Sequence, residues 1–137
     1  MFTSLINIKK EQKMKLKIMS IENGGDAKDE YVRLKVLEDC NLIDYALVDT
    51  TFTADGKVSN KNRHFYWFPH KDVKKNEVVR LYSSIGDNVS STSNTDIMIH
   101  KVYWNLGSPV WNNEGDKAVL FEIKDKQEEV VDKKKGA

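Results

Sequence analysis

Apolar and polar residues alternate along most of this chain between residues 14 and 124. Two runs near the start show the pattern clearly, MKLKI at residues 14–18 and YVRLKV at residues 31–36. A period of two is typical of a strand with one buried face, because successive side chains of a strand point to opposite sides. The same reasoning predicts strands at residues 14–18, 30–36, 42–49, 64–68, 77–82, 97–104 and 117–124.

Turn-forming residues separate these runs. The segment ENGGD at residues 22–26 and the pair Asp55–Gly56 favour tight turns, since glycine and asparagine admit positive φ angles. Residues 83–95 are almost all serine, threonine, asparagine, aspartate and glycine, which predicts a long exposed loop. Short strands without an amphipathic helix predict an all-β fold, a two-sheet β-sandwich of about seven to nine antiparallel strands.

The alternation stops near both ends, so the chain is predicted to be one domain with two tails. Residues 1–13 show no sustained period and are interpreted as a flexible arm. Residues 125–137 mix acidic and basic side chains, with Val130 and Val131 as the bulky apolar residues, and are interpreted as a disordered tail or a frayed helix. The β-sandwich then occupies residues 14–124.

The charges nearly balance, with 22 basic and 21 acidic side chains and a net charge of +1. The protein as a whole therefore has no strong attraction to nucleic acid or to an anionic membrane. The single cysteine, Cys40, excludes an intramolecular disulfide. The first residues contain no apolar run long enough for a signal peptide or a membrane span. We expect a cytoplasmic protein if Met1 is the native start, and a secreted one if the chain is a fragment.

The sequence shows no pattern of catalytic or metal-binding residues. The histidines His64, His70 and His100 lack paired metal-ligand spacing with one another or with Cys40. The serines of residues 83–93 have no histidine near them in the sequence that would activate a nucleophile. We therefore expect no enzymatic activity, no cofactor, no metal and no small-molecule substrate.

Two features are candidates for a binding surface. In the aromatic run at residues 64–68, Phe65 and Trp67 point to one side, while His64, Tyr66 and Phe68 point to the other. One set belongs to the core, and the other is either an exposed ledge or covered by a loop or the N-terminal arm. The second feature is a lysine cluster: Lys9, Lys10, Lys13, Lys15 and Lys17. Such a cluster either binds a phosphate backbone or keeps an edge strand soluble. His64, Tyr66 and these lysines are the predicted binding residues.

Four segments resemble motifs of the lamin-tail domain family in the order in which that family has them. EYVRL at residues 30–34 is similar to the family's E-[YF]-V-E-[IL] strand, and LIDYAL at residues 42–47 is similar to L-x-G-W-x-L. Residues 65–81 resemble the segment with FP, a hydrophobic residue and x-x-G-x-x-V-x-I, and residues 111–120 resemble the closing hairpin W-N-x-x-G-D-x-A-x-L. The resemblance covers roughly residues 18–124.

The chain departs from these motifs at two places. Asn76 stands where the family favours glycine, but asparagine tolerates the left-handed conformation that such a turn needs. Asp44–Tyr45 replaces Gly-Trp, which exchanges one large aromatic ring for another. Neither departure conflicts with the fold.

The resemblance implies an immunoglobulin-like sandwich of the small, bacterial type that acts as a non-catalytic binding or scaffold module. Its implied partner is a protein, either a second copy or another chain. Two alternatives stay open at this point. One is a nucleic-acid-binding module that uses the N-terminal lysines, and the other is an accessory domain of a larger secreted hydrolase.

Overall fold

A computed structural model describes residues 13–51, 64–112 and 115–132 of the chain. These residues form ten strands: β1 (Leu16–Glu22), β2 (Tyr31–Val36), β3 (Cys40–Asn41), β4 (Tyr45–Thr51), β5 (Phe65–Trp67), β6 (Asp72–Val73), β7 (Val78–Tyr82), β8 (Val89–Thr92), β9 (Met98–Tyr103) and β10 (Asp116–Glu122). Within the described residues, no helix is long and apolar enough to cross a membrane. The predicted arm up to residue 12, the Asp55–Gly56 turn and the end of the tail from residue 133 lie outside the described residues.

The strands form two main sheets around one core. The larger sheet has the order β1-β2-β7-β9-β8, the smaller sheet has the order β10-β4-β5, and β3 pairs with β6. The predicted all-β sandwich is therefore confirmed. Every pair is antiparallel except β7 and β9, which run parallel. This pair differs from the prediction because the chain leaves β7, runs back along the sheet edge as β8, and only then turns into β9.

The core lies between the inner faces of the two sheets. Its buried side chains come from alternate positions of the strands, as the period-two pattern predicted: Leu16, Val32, Leu34, Val36, Tyr45, Leu47, Val79, Leu81 and Val102. Phe68, Val110 and Trp111 fill the space that the loops cover. Each fully buried apolar side chain of this size stabilises the fold by about 1.5–3 kcal/mol relative to exposure.

Three segments differ from the sequence prediction. Residues 42–44 form a turn of 3-10 helix rather than the start of a strand, because the Asn41 side chain accepts a hydrogen bond from the Ile43 N–H at 3.0 Å. The predicted loop at residues 83–95 contains β8, and β6 lies between the predicted strands at residues 64–68 and 77–82. Asn76 has a φ of 76°, the left-handed conformation that its place in the turn predicted. Residues 125–132 have no regular secondary structure.

Candidate binding faces of the two sheets

The outer face of the three-stranded sheet carries the aromatic strand β5. Trp67 lies opposite Ala46 of β4, and Phe65 lies opposite Val48. On the other side of β4, β10 places further apolar residues opposite the same two positions. Two apolar rows therefore cross this sheet, Trp67–Ala46–Phe121 and Phe65–Val48–Val119. We call these six residues the apolar face.

Three aromatic rings of the apolar face are open to solvent. Phe65 is 58% exposed, Phe121 is 50% exposed and Trp67 is 41% exposed. The Trp67 indole N–H donates to the Ile43 carbonyl at 2.7 Å, which fixes the ring on the sheet. The Lys126 ammonium lies 5.0 Å from the centroid of the same ring, a cation–π contact. The apolar face thus exposes three aromatic rings, and contacts with Ile43 and Lys126 hold the Trp67 ring in place.

The choice of Tyr66 as an outward residue was wrong. Tyr66 lies opposite Leu47, whose side chain is fully buried, and opposite residues of neighbouring strands share one face of a sheet. The Tyr66 ring therefore points inward, with its centroid 5.0 Å from Phe68 and 5.7 Å from Trp104. Burial raises the pKa of Tyr66 to about 12. The outward pair in β5 is Phe65 and Trp67.

His64 lies just before β5, where it joins the rim of the sheet rather than the apolar face. Its backbone N–H donates to the Asp49 carboxylate at 2.5 Å, and its ring nitrogen Nδ1 lies 3.4 Å from the other oxygen. The ring is half-exposed, and its centroid is 6.0 Å from Trp104. Asp49 thus contacts both the backbone and the ring of His64, and it fixes His64 at the start of β5.

The structure describes Lys13, Lys15 and Lys17 of the predicted lysine cluster, and all three side chains are exposed. Lys9 and Lys10 lie outside the described residues. Lys17 lies opposite Lys35 in the pair of β1 and β2. Lys17 therefore lies on the outer face of the five-stranded sheet. The sequence did not predict a binding site on this face.

The outer face of the five-stranded sheet is strongly basic. Arg33 of β2 lies opposite Arg80 of β7, and Arg80 lies opposite Lys101 of β9, so three cations form one row across neighbouring strands. Lys17 and Lys35 form a second like-charged pair. We call these five residues the basic face: Lys17, Arg33, Lys35, Arg80 and Lys101.

A stack of tyrosines borders the basic face. The ring centroids of Tyr31 and Tyr82 are 4.9 Å apart, and those of Tyr82 and Tyr103 are 5.2 Å apart, the latter nearly parallel at 17°. The Arg80 guanidinium lies 5.0 Å from the Tyr31 centroid, and the Lys101 ammonium lies 6.0 Å from the Tyr82 centroid. The tyrosine stack therefore holds two of the five cations in position.

A depression of about 410 Å³ lies at the end of the tyrosine stack. Its lining combines aromatic and polar groups: Lys28, Asp29, Tyr82, Ser84, Ile85, Lys101 and Tyr103. A volume of this size lies within the range of small-ligand pockets. The loop beside it packs closely on the stack, because a Cβ atom on Gly86 would lie 2.7 Å from the Tyr103 ring.

A serine, a histidine and a carboxylate lie in line at the edge of the five-stranded sheet. The Ser90 hydroxyl is 2.7 Å from Nδ1 of His100, and Nε2 of His100 is 2.8 Å from the Glu77 carboxylate. These serines have no histidine near them in the sequence, but the pairing of β8 with β9 places Ser90 directly opposite His100 in the fold. Catalytic triads have the same order of groups, with the serine on Nε2 rather than on Nδ1. The register of the sheet accounts for the contacts, and His100 joins β8 to the start of β7.

The contact between Glu77 and His100 makes stability depend on pH. Burial opposes ionisation of Glu77, but hydrogen bonds from His100 and the Lys74 N–H hold its pKa below the usual value. A carboxyl group whose pKa is lower in the folded state than in the unfolded state stabilises the fold at pH values above the unfolded pKa. This contribution disappears as the pH falls through the folded pKa. We expect Glu77→Gln to lower the midpoint of thermal unfolding at about pH 7 and to leave it nearly unchanged at about pH 3.

Glu38→Gln is the matched control for this measurement. It removes one negative charge from an exposed pair with Lys75, whose N···O distance is 3.9 Å, and exposed pairs contribute little. An equal loss for Glu77→Gln at both pH values would show that the ionised carboxylate is not what stabilises this corner of the sheet.

Glu30 is a fully buried carboxylate that joins three loops. It accepts hydrogen bonds from the Gly25 N–H at 2.9 Å, from the Val110 N–H at 2.7 Å, and from the Ser83 hydroxyl. The backbone nitrogen of Trp111 lies 3.4 Å from each of the two carboxylate oxygens. A Cβ atom on Gly24 would lie 2.8 Å from the Trp111 carbonyl oxygen, so only glycine allows the first loop to approach so closely. Glu30 is best explained as a structural anchor of these loops.

No family model matches this chain, and no curated protein aligns with it significantly. Within the described residues, no group of three or more His, Cys, Asp or Glu side chains is placed to hold a metal ion. Cys40 is half-buried, and burial raises the pKa of its thiol while the nearby Lys15 partly offsets that effect. The features that stand out chemically are therefore the apolar face and the basic face.

Proposed function

We propose that this protein is a non-catalytic binding module of the lamin-tail, immunoglobulin-like type, which binds a protein partner through the apolar face. The observation that carries the proposal is the exposure of Phe65, Trp67 and Phe121 on one continuous surface. Contiguous exposed apolar surface is typical of protein interaction sites, whereas single exposed apolar residues are ordinary. Aromatic rings also contribute most to binding energy when a partner covers them.

The chemistry of the partner follows from the edge of the sheet. β5 is the last strand of the order β10-β4-β5, and among the residues that the structure describes no strand lies beside its other edge. An extended segment of a partner can add to such an edge through backbone hydrogen bonds. Alternate apolar side chains of that segment would then cover Phe65 and Trp67. We therefore propose an extended, apolar protein segment as the partner, supplied by another protein or by a second copy.

Site-specific photo-crosslinking tests this proposal. Benzoylphenylalanine at position 65 should form a protein adduct in the cells that produce the protein, because Phe65 is 58% exposed at the proposed interface. The same group at position 89 is the matched control, since Val89 is 52% exposed but lies on the other sheet. Phe121→Asp should weaken the adduct at position 65, because it places a charge on the apolar face, in one row with Ala46 and Trp67.

The mass of the adduct identifies the partner. Twice the mass of this chain, together with a dimer in light scattering at micromolar concentration, assigns a second copy; any other mass assigns another protein. Adducts of equal yield from positions 65 and 89, or an adduct that Phe121→Asp leaves unchanged in a folded variant, would exclude the apolar face as the binding site.

A further inference from the structure

The basic face has an arrangement of charges that folding alone does not favour. Like charges directly opposite each other on neighbouring strands are destabilising, and this sheet contains two such sets, Arg33–Arg80–Lys101 and Lys17–Lys35. Within the part of the chain that the structure describes, none of these five cations is in an ion pair. The repulsion is therefore not relieved by neighbouring carboxylates.

The charge of the basic face also differs strongly from the net charge of the whole chain. The net charge of the chain is +1, yet the outward strand positions on this face carry five cations and one acid, Glu22 opposite Tyr31. A concentration of one sign of charge on a nearly neutral protein creates a local field that attracts a partner of opposite sign. A bound polyanion would turn the repulsion between these residues into a favourable interaction.

Arg80 shows most directly that the face is incomplete by itself. Its guanidinium packs against the Tyr31 ring, and one terminal nitrogen donates to the Tyr82 hydroxyl at 3.4 Å. Its Nε atom is buried and has no hydrogen-bond partner among the described residues, so the terminal nitrogens are the ones left for an external ligand. The tyrosine stack thus fixes a cation whose hydrogen-bonding capacity is only partly used. Fixed guanidinium groups of this kind are well suited to phosphate oxygens.

We propose that the basic face binds single-stranded nucleic acid. The phosphates lie along the row Arg33–Arg80–Lys101, and one base enters the depression beside Tyr82 and Tyr103. Neighbouring strands are about 4.8 Å apart, so the three cations extend over about 10 Å and meet successive phosphates of one strand. A row of cations that crosses several strands of a sheet supports an extended single strand.

The depression favours a single strand over a duplex. Its polar lining, which includes Asp29 and Ser84, offers hydrogen-bonding groups for the edge of a base. A base can reach these groups only when it is unpaired and turned out of its stack. The faces of Tyr82 and Tyr103 are already stacked on each other, so recognition here depends on hydroxyl groups and ring edges. We therefore expect weak sequence preference and strong dependence on salt.

Fluorescence anisotropy with a labelled single-stranded DNA of about 15 nucleotides tests the proposal. The face variant Arg33→Gln/Lys35→Gln/Lys101→Gln should bind at least about tenfold more weakly at about 50 mM salt. It should also lower the slope of log affinity against log salt by about 1.4, because two of its residues, Arg33 and Lys101, lie in the phosphate row and each phosphate neutralised on a single strand contributes about 0.7 to that slope. The control variant Lys71→Gln/Lys74→Gln/Lys124→Gln removes the same charge from exposed sites elsewhere and should stay within about twofold of the wild type.

Thermal unfolding shows whether the face variant is folded, and we expect its midpoint to match or exceed that of the wild type because repulsion is removed. If it does not fold, the single substitution Lys101→Glu replaces it and should weaken binding by a similar factor. Three results would overturn the proposal: no binding of the wild type at about 50 mM salt, an equal loss in the face and control variants, or equal affinity for a duplex of the same sequence. An abasic strand of equal affinity would overturn the placement of a base in the depression.

Discussion

Replacing Glu30 with alanine should lower the free energy of unfolding by at least about 3 kcal/mol. The change removes the common acceptor of the Gly25, Val110 and Ser83 donors, and it does so at a position with no exposed surface. Each buried donor left without its acceptor costs about 1–3 kcal/mol, because water cannot take the place of the carboxylate. Denaturant unfolding followed by tryptophan fluorescence measures the loss.

Two further substitutions separate the effect of the Glu30 hydrogen bonds on stability from the effect of its side-chain volume. Glu30→Gln keeps the shape but places an amide N–H₂ group near backbone donors, so we expect an intermediate loss. Ser83→Ala removes one donor only and should cost about 1–2 kcal/mol. Glu38→Ala, at an exposed acid, should stay within about 0.5 kcal/mol of the wild type. A loss below about 1 kcal/mol for Glu30→Ala would refute the anchoring role.

Replacing Trp111 with alanine should cost about 3–5 kcal/mol, because the ring is only 6% exposed and its removal leaves a large cavity. Its centroid lies 6.4 Å from that of Trp104, so the cavity would open beside a second large ring. Denaturant unfolding again provides the measurement. A loss below about 1 kcal/mol would mean that the ring is not part of the core.

Trp111→Phe tests how much of the packing at this site a smaller aromatic ring restores. The Trp111 indole N–H is buried without a hydrogen-bond partner among the described residues, so replacing the ring by phenyl removes a donor that is unsatisfied there. We expect a loss smaller than that of Trp111→Ala by about 2 kcal/mol. Trp67→Ala is the exposed control, since its ring is 41% exposed. Equal losses for the phenylalanine and alanine variants would show that a phenyl ring restores none of the packing of the indole.

The strands that were predicted well are those with one buried face. β2 alternates strictly and β7 alternates from Val79 onward, so their inward residues Val32, Leu34, Val79 and Leu81 could be identified from the sequence. β8 was missed because all four of its side chains are exposed, and a strand solvated on both faces shows no period of two. The turn at residues 42–44 was missed because the Asn41 side chain, rather than the hydrophobic pattern, decides the local conformation.

The binding faces were only partly predictable, because they depend on which strands become neighbours. The sequence predicted that Arg33 and Lys35 face water, but their alignment with Arg80 and Lys101 requires the order β2-β7-β9 and its parallel pair. In β5 both alternating sets are aromatic, so only the pairing of Tyr66 with Leu47 decides which set points inward. Glu30 contacts residues that are 53 and 80 positions away, so no local sequence pattern predicts these contacts.

The pairing of β10 with β4 has a consequence for synthesis of the chain. Glu122 lies opposite Tyr45 and accepts a hydrogen bond from its hydroxyl at 3.2 Å, across 77 positions of sequence. A ribosome therefore releases β4 and β5 long before β10 is available, and closing such a long loop is slow. During that interval β4 has a free edge and its inner side chains lack the strand that later lies beside them. The nascent chain is accordingly most vulnerable to aggregation just before its last strand emerges.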